Sequence, residues 1–220
     1  MLIALGEGDC ESVGSGWLAQ PANAVSSLAF AVVGLLLVPW ALSPAGRERV
    51  IRMLIVAGLV VTGLGSFMYH GPQGSGSQLS HDLSFLLVLV ILSAANLAAG
   101  MAWSDRTLAA ATLGLAAAFT ILLFAVPTAT NIAAAGAIAL IVAGDVVVHR
   151  LGSRHLPWYA VAVASVALAV PIYAASRTGG WWCDPASILQ GHAAWHILGS
   201  VAIGGYAVAT GAVRLRRDRS

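Results

Sequence analysis

The stretch DLSFLLVLVILSAANLAAG, Asp82 to Gly100, carries one ionisable side chain, and that residue comes first. A helix rises about 1.5 Å per residue, so a run of this length crosses a hydrocarbon core of about 30 Å. Outward from it, apolar runs of similar length recur at 22–42, 52–70, 107–126, 131–149, 156–175 and 190–211. The connections between them are short. The chain has 220 residues, 59% hydrophobic and 9% charged, whereas soluble domains carry about 25% charged residues. These features exclude a soluble domain and predict an all-α membrane protein. It is one seven-helix transmembrane domain over residues 1–220, without repeat, low-complexity tract or long linker. Met1 to Cys10 lack both a basic start and a long apolar core, so the first span is expected to target the chain without cleavage.

Arginine sets the orientation, because the chain has no lysine. Arg47, Arg49 and Arg52 follow span one, Arg106 follows span three, and Arg150 and Arg154 follow span five. Arg214, Arg216, Arg217 and Arg219 form the tail. Ten of the eleven arginines thus lie on one side, with Arg177 opposite. The positive-inside rule puts the C-terminus in the cytoplasm and, with seven spans, the N-terminus outside. The basic tail reads as a topology anchor touching anionic lipid rather than a nucleic-acid patch. Arginine without lysine, beside abundant alanine, points to a GC-rich bacterial source and hence an inner membrane.

The topology gathers the unusual polar residues. His70 ends span two, Asp82 opens span three, and His192 and His196 lie in the first turns of span seven. All are at the outer end, with Ser66 one turn deeper than His70. Residues four apart share a helix face, so Ser66 faces with His70 and His192 with His196. Cys10 and Cys183 also fall outside, where an oxidising compartment permits a Cys10–Cys183 disulfide; the alternative is two unrelated thiols.

Ionisable side chains are costly in hydrocarbon and usually mark function. A catalytic zinc takes three protein ligands and keeps a position open, and His70, His192 and His196 would supply the three. Zinc brings the pKa of a bound water to about 7. Asp82 is the candidate general acid/base, and Ser66 the candidate for stabilising the water or an oxyanion. The reaction class is metal-assisted hydrolysis of an amide or ester in a membrane lipid. The plain alternative is interhelical hydrogen bonding by the histidines.

Other polar residues read more simply. His81 is expected in a solvated loop, and His149 and His155 at the inner interface. Asp145 is expected to pair with His149 or Arg150. Asn23, Ser26 and Ser27 face the outer half of span one, either supporting the site or packing helices. Trp181, Trp182 and Tyr206 suit interfacial belts.

These elements in this order resemble the alkaline ceramidases and the wider CREST superfamily of seven-helix membrane hydrolases. The matching pieces are Gly8-Asp9-Cys10-Glu11, Asn23 with Ser27, Gly63 to His70, Asp82, Cys183-Asp184 and Gly191 to His196, and they span essentially the whole chain. The resemblance implies zinc on His70, His192 and His196, catalysis by Ser66 and Asp82, bridged Cys10 and Cys183, and hydrolysis of a ceramide amide. It also implies a calcium site near the N-terminus, for which Asp9 and Glu11 remain while Gln20 stands where the family has Glu. Leu83-Ser84-Phe85 departs from the Glu-Leu-Pro-Met that tends to follow the family's aspartate. The expected partner is a membrane lipid substrate, with no nucleic acid and no obligate protein partner.

Three other functions compete. A non-enzymatic zinc-containing lipid receptor would share fold and ligands. An intramembrane serine protease is suggested by Gly63-x-Gly65-Ser66 with a histidine, but leaves the three histidines unexplained as a set. A haem protein would use two of them. A retinal protein is excluded, because its Schiff base needs a lysine.

Overall fold

The computed structural model describes residues 5–151 and 155–211, with side chains described outside 147–151. A 3-10 turn at Glu7–Asp9 precedes α1 (Pro21–Leu36), α2 (Val38–Leu42), α3 (Gly46–His70) and α4 (Ser77–Met101). Then come α5 (Asp105–Ala125), α6 (Thr130–Leu151), α7 (Leu156–Ala175) and α8 (Gly191–Gly211). Among the described residues seven spans are long and apolar enough to cross a membrane, the first formed by α1 and α2 together. None of the described residues is in a strand.

The spans fall where the apolar runs predict, and their ends differ for local reasons. Span one breaks at Leu37, two residues before Pro39, which has no N–H to donate back to the Leu35 carbonyl. Span two begins at Gly46 rather than 52, so Arg47, Arg49 and Arg52 ride the first turns of α3 instead of a loop. Arg52 is buried and donates to the Trp40 and Gly211 carbonyls, pinning the ends of α2 and α8. Span three begins at Ser77, placing Asp82 in the second turn of α4 and His81 on the helix rather than in a loop. Polar residues at 77–82 kept this turn out of the apolar run, although they are as helical as residues 83–101.

Helix packing runs α7–α8–α1–α3–α4–α6, with α5 leaning on α4. Phe30, Leu59, Leu86, Val88 and Leu89 fill the interior. Leu113, Ile121 and Phe124 on α5 are exposed, which is the expected face toward lipid. Where α1 meets α3, a Cβ on Gly63 would lie 2.7 Å from the Ala31 nitrogen, so only glycine permits this approach. A Cβ on Gly65 would meet Ser84 Oγ of α4 at 2.7 Å. The two glycines therefore let α1 and α4 close on α3 just before Ser66.

At the opposite end from Ser66 and His70, Asp145 accepts hydrogen bonds from the hydroxyls of Tyr159 (2.9 Å) and Tyr206 (2.8 Å). Tyr206 also accepts from Asn96. It is turned into the bundle rather than lying in an interfacial belt, because a carboxylate between helices needs donors. Trp181 and Trp182 are exposed in the loop before α8 and stack on each other. The side chains of His149 and Arg150, together with Arg154 and the tail arginines Arg214, Arg216, Arg217 and Arg219, lie outside the described residues.

Candidate metal centre

His70 closes α3, and the segment entering α1 meets it there. The backbone N–H groups of Ala19 and Gln20 donate to the Gly71 and His70 carbonyls (3.0 and 2.8 Å), satisfying the open end of the helix. The start of α1 is capped from a distance. Both oxygens of Glu11 accept backbone N–H bonds, from Ala22 and Asn23, at 2.8 Å each. Cys10 is disulfide-bonded to Cys183 with Cα atoms 5.6 Å apart. The Cys10 N–H donates to Thr178 Oγ1 and the Ser12 N–H to the Pro185 carbonyl. The N-terminal segment is thereby held across the ends of α3 and α1 and against the α7–α8 loop.

Under this cover His70, His192 and His196 converge. One nitrogen from each lies within 4.8 Å of the others, and all three residues are buried. His70 Nδ1 is 2.7 Å from Gln20 Oε1, while Gln20 Nε2 donates to the Gly6 and Glu11 carbonyls. With Oε1 an acceptor, Nδ1 of His70 carries the proton and Nε2 keeps its lone pair. His196 Nδ1 is 2.9 Å from Ser26 Oγ, whose only proton goes to the Asn23 carbonyl. His196 therefore donates from Nδ1 and also presents a free Nε2. His192 Nδ1 lies 3.5 Å from Asp9 Oδ1.

These atoms fit a cation. His70 Nε2 and both nitrogens of His192 are buried without a hydrogen-bond partner, a costly condition that a shared ion relieves. Neutral imidazoles held by a second hydrogen bond on the far nitrogen are the donor set preferred by zinc. The surroundings point the same way: Ser27 Oγ donates to the Asn23 carbonyl and so accepts from Ser66 Oγ at 2.8 Å. That turns a Ser66 lone pair toward His196 Nε2, 3.4 Å away. Two lone pairs facing each other favour a positive charge nearby.

Asp82 stands beside this trio rather than within it. Its Oδ2 accepts from Thr130 Oγ1 at 2.7 Å, and Oδ1 lies 2.8 Å from His81 Nδ1. The His81 ring stacks on Tyr69 and its centroid is 5.9 Å from that of His70. His81 is thus an inward residue on α4, half-buried against Asp82, not a solvated loop residue.

Asp9 and Glu11, the acidic residues that the resemblance assigns to a calcium site, both have protein partners. Glu11 caps α1, and Asp9 pairs with Arg177, which also donates to Tyr173. Burial pushes the Asp9 carboxyl above the usual carboxylate range, with the Arg177 guanidinium opposing the shift. Gln20, at the place of the family's Glu, serves His70. Among the described residues the three histidines are the one His/Cys/Asp/Glu group arranged to hold an ion.

Sequence reasoning overlooked Gln20 as a support for His70, and with it His81 and Thr130 as partners of Asp82, whereas Ser26, one of the α1 residues read as supporting the site or packing helices, meets His196. Gln20, Asn23 and Ser27 form a polar stripe at helical spacing on α1, which was a readable signal. Nothing local marks Thr130, which reaches Asp82 only through the packing of α6 on α4.

The molecule is a seven-helix membrane protein with a buried cluster of three histidines, at one end of the bundle, that could hold a metal ion. The family model described as Ceramidase matches residues 10–220, and the chain belongs to that family. Membership makes it a hydrolase acting on the amide bond of ceramide. No curated protein and no solved structure matches the chain.

Proposed function

We propose that this chain is a zinc-dependent intramembrane amidase of a ceramide-like N-acyl lipid, with its site facing outward from a bacterial inner membrane. The observation that carries the reading is the convergence of three buried imidazoles, with His70 Nε2 and both nitrogens of His192 lacking a hydrogen-bond partner. His70, His192 and His196 would hold the ion, which when bound supplies Lewis acidity and a nucleophile competent near neutral pH.

The remaining work falls to the chain. Asp82 is held by Thr130 and His81, so its carboxylate is fixed in direction. It takes a proton from the attacking water and delivers one to the departing amine nitrogen as the C–N bond breaks. Ser66, its own proton committed to Ser27, accepts a hydrogen bond from that water and orients it. Gln20 and Ser26 hold the imidazoles of His70 and His196. An apolar cavity of about 220 Å³ between α4 and α5 is lined by Leu83, Leu86, Leu87, Val90, Ala116 and Phe119. It begins on the α4 turn that carries Asp82 and suits a hydrocarbon chain. The disulfide and the ten-to-one arginine bias support the outward orientation.

The test is metal analysis of purified protein together with hydrolysis of defined N-acyl lipids. One zinc per chain, lost in His192→Ala/His196→Ala, is expected. Asp82→Asn should keep the zinc and slow turnover by about 10²–10⁴-fold. Wild-type protein that binds no zinc, or that leaves every N-acyl lipid intact, sinks the proposal.

A further inference from the structure

Among the described residues, the buried side-chain atoms without a hydrogen-bond partner fall into three groups. The histidine nitrogens await the ion, and those of Arg47 and Arg52 belong to guanidinium groups that bond through their other nitrogens. That leaves Asn23. Its side chain is fully buried, and both Oδ1 and Nδ2 lack any hydrogen-bond partner. A buried carboxamide with neither end satisfied costs stability and calls for a reason.

Its position supplies one. On α1, Asn23 lies between Gln20, which bonds His70, and Ser27, which bonds Ser66 and approaches His196 Nδ1 at 3.5 Å. Residues three and four apart share a face, so Asn23 is on the strip of α1 that borders the histidines. Its backbone carbonyl already holds the hydroxyls of Ser26 and Ser27. The residue is therefore fixed in the helix while its side chain stays uncommitted. Ser66 cannot donate to a developing oxyanion without breaking its bond to Ser27. The site accordingly has an acceptor at Ser66 and an unused donor at Asn23.

We propose that the Asn23 carboxamide binds the carbonyl oxygen of the scissile amide through Nδ2–H and stabilises the negative charge that grows there during hydrolysis. The inference rests on the amidase reading above. A donor kept free and pre-oriented is stronger in the transition state than in the ground state, because the oxygen becomes more negative as attack proceeds.

The experiment uses the full chain in detergent or nanodiscs with Asn23→Leu and Asn23→Thr. Expected for Asn23→Leu is a fall in kcat/KM on the order of 10²–10³-fold, with zinc content unchanged. Its melting temperature should be equal or higher, since the amide removed had no partner. Asn23→Thr keeps an O–H donor and should recover about tenfold of the loss. Activity within threefold of wild type in Asn23→Leu overturns the proposal, as does loss of zinc or of thermal stability in step with activity. A second readout does not need turnover: the infrared band of a carbonyl-¹³C short-chain ceramide bound to Asp82→Asn protein. Adding Asn23→Leu should move that band to higher frequency as the hydrogen bond is lost, and an unmoved band overturns the proposal. Wild-type protein that hydrolyses nothing, with this shift still present, sinks the amidase reading and leaves the Asn23 contact standing.

Discussion

His70 Nδ1 donates to Gln20 Oε1 across 2.7 Å, and Gln20 is itself held by the Gly6 and Glu11 carbonyls. The contact ties an imidazole at the end of α3 to the segment that covers the site. It fixes both the tautomer and the plane of the ring, and so aims Nε2 at the other two histidines.

Outer partners of this kind are worth 10–100-fold in metal affinity when removed. Gln20→Leu should therefore weaken zinc binding by about that factor. Gln20→Glu, which keeps the acceptor, should hold zinc near the wild-type level. Competition against a fluorescent chelator measures both. Equal zinc affinity in Gln20→Leu and wild type contradicts the assigned role.

The Cys10–Cys183 bond closes 173 residues of sequence. For a free chain such a loop is worth roughly 5 kcal/mol. Helices that stay in the bilayer already restrict the reduced state, so the cost of Cys10→Ser should be smaller, about 1–3 kcal/mol. The N-terminal segment should also become sensitive to protease while the helices stay protected. A limited digest of the variant beside wild type, with N-terminal sequencing of the fragments, reports this directly.

Gly63 sits where α1 and α3 touch, one turn before Ser66. Gly63→Ala adds a methyl in contact with the Ala31 backbone and should cost about 1–3 kcal/mol through overpacking. Because Ser27 and Ser66 face each other across this contact, turnover should fall as well. Thermal denaturation and initial rates on one lipid should move together. A stable variant with full activity shows that the helices can separate without consequence.

Ala116 lines the apolar cavity between α4 and α5. Ala116→Phe fills much of it. If a substrate chain lies there, kcat/KM for long N-acyl chains should drop about tenfold, the scale of losing one or two methylene contacts. Short chains should be unaffected. A uniform loss over all chain lengths points to a packing defect instead.

Sequence and structure contribute unequally to these expectations. The seven spans were legible because hydropathy is a property of each residue added along a run. The pairing of His192 with His196, and of Ser66 with His70, was legible because four residues make about one turn. His81 was misread because its polar neighbours at 77–82 looked like a loop, whereas the helix simply begins earlier than the apolar run. Tyr206 was misread because an aromatic near a membrane end suits an interface equally well when no partner is in view.

By itself the sequence determined a seven-helix membrane bundle, three histidines at one end, and the family to which such a chain belongs. The tertiary structure alone decided which atoms are free. Gln20 claims one nitrogen of His70, Ser26 one of His196, Ser27 the proton of Ser66, and Thr130 an oxygen of Asp82, while Asn23 is left with none. A hydrogen bond depends on two groups meeting at about 3 Å, and periodicity within one helix carries no information about what the next helix brings to that distance.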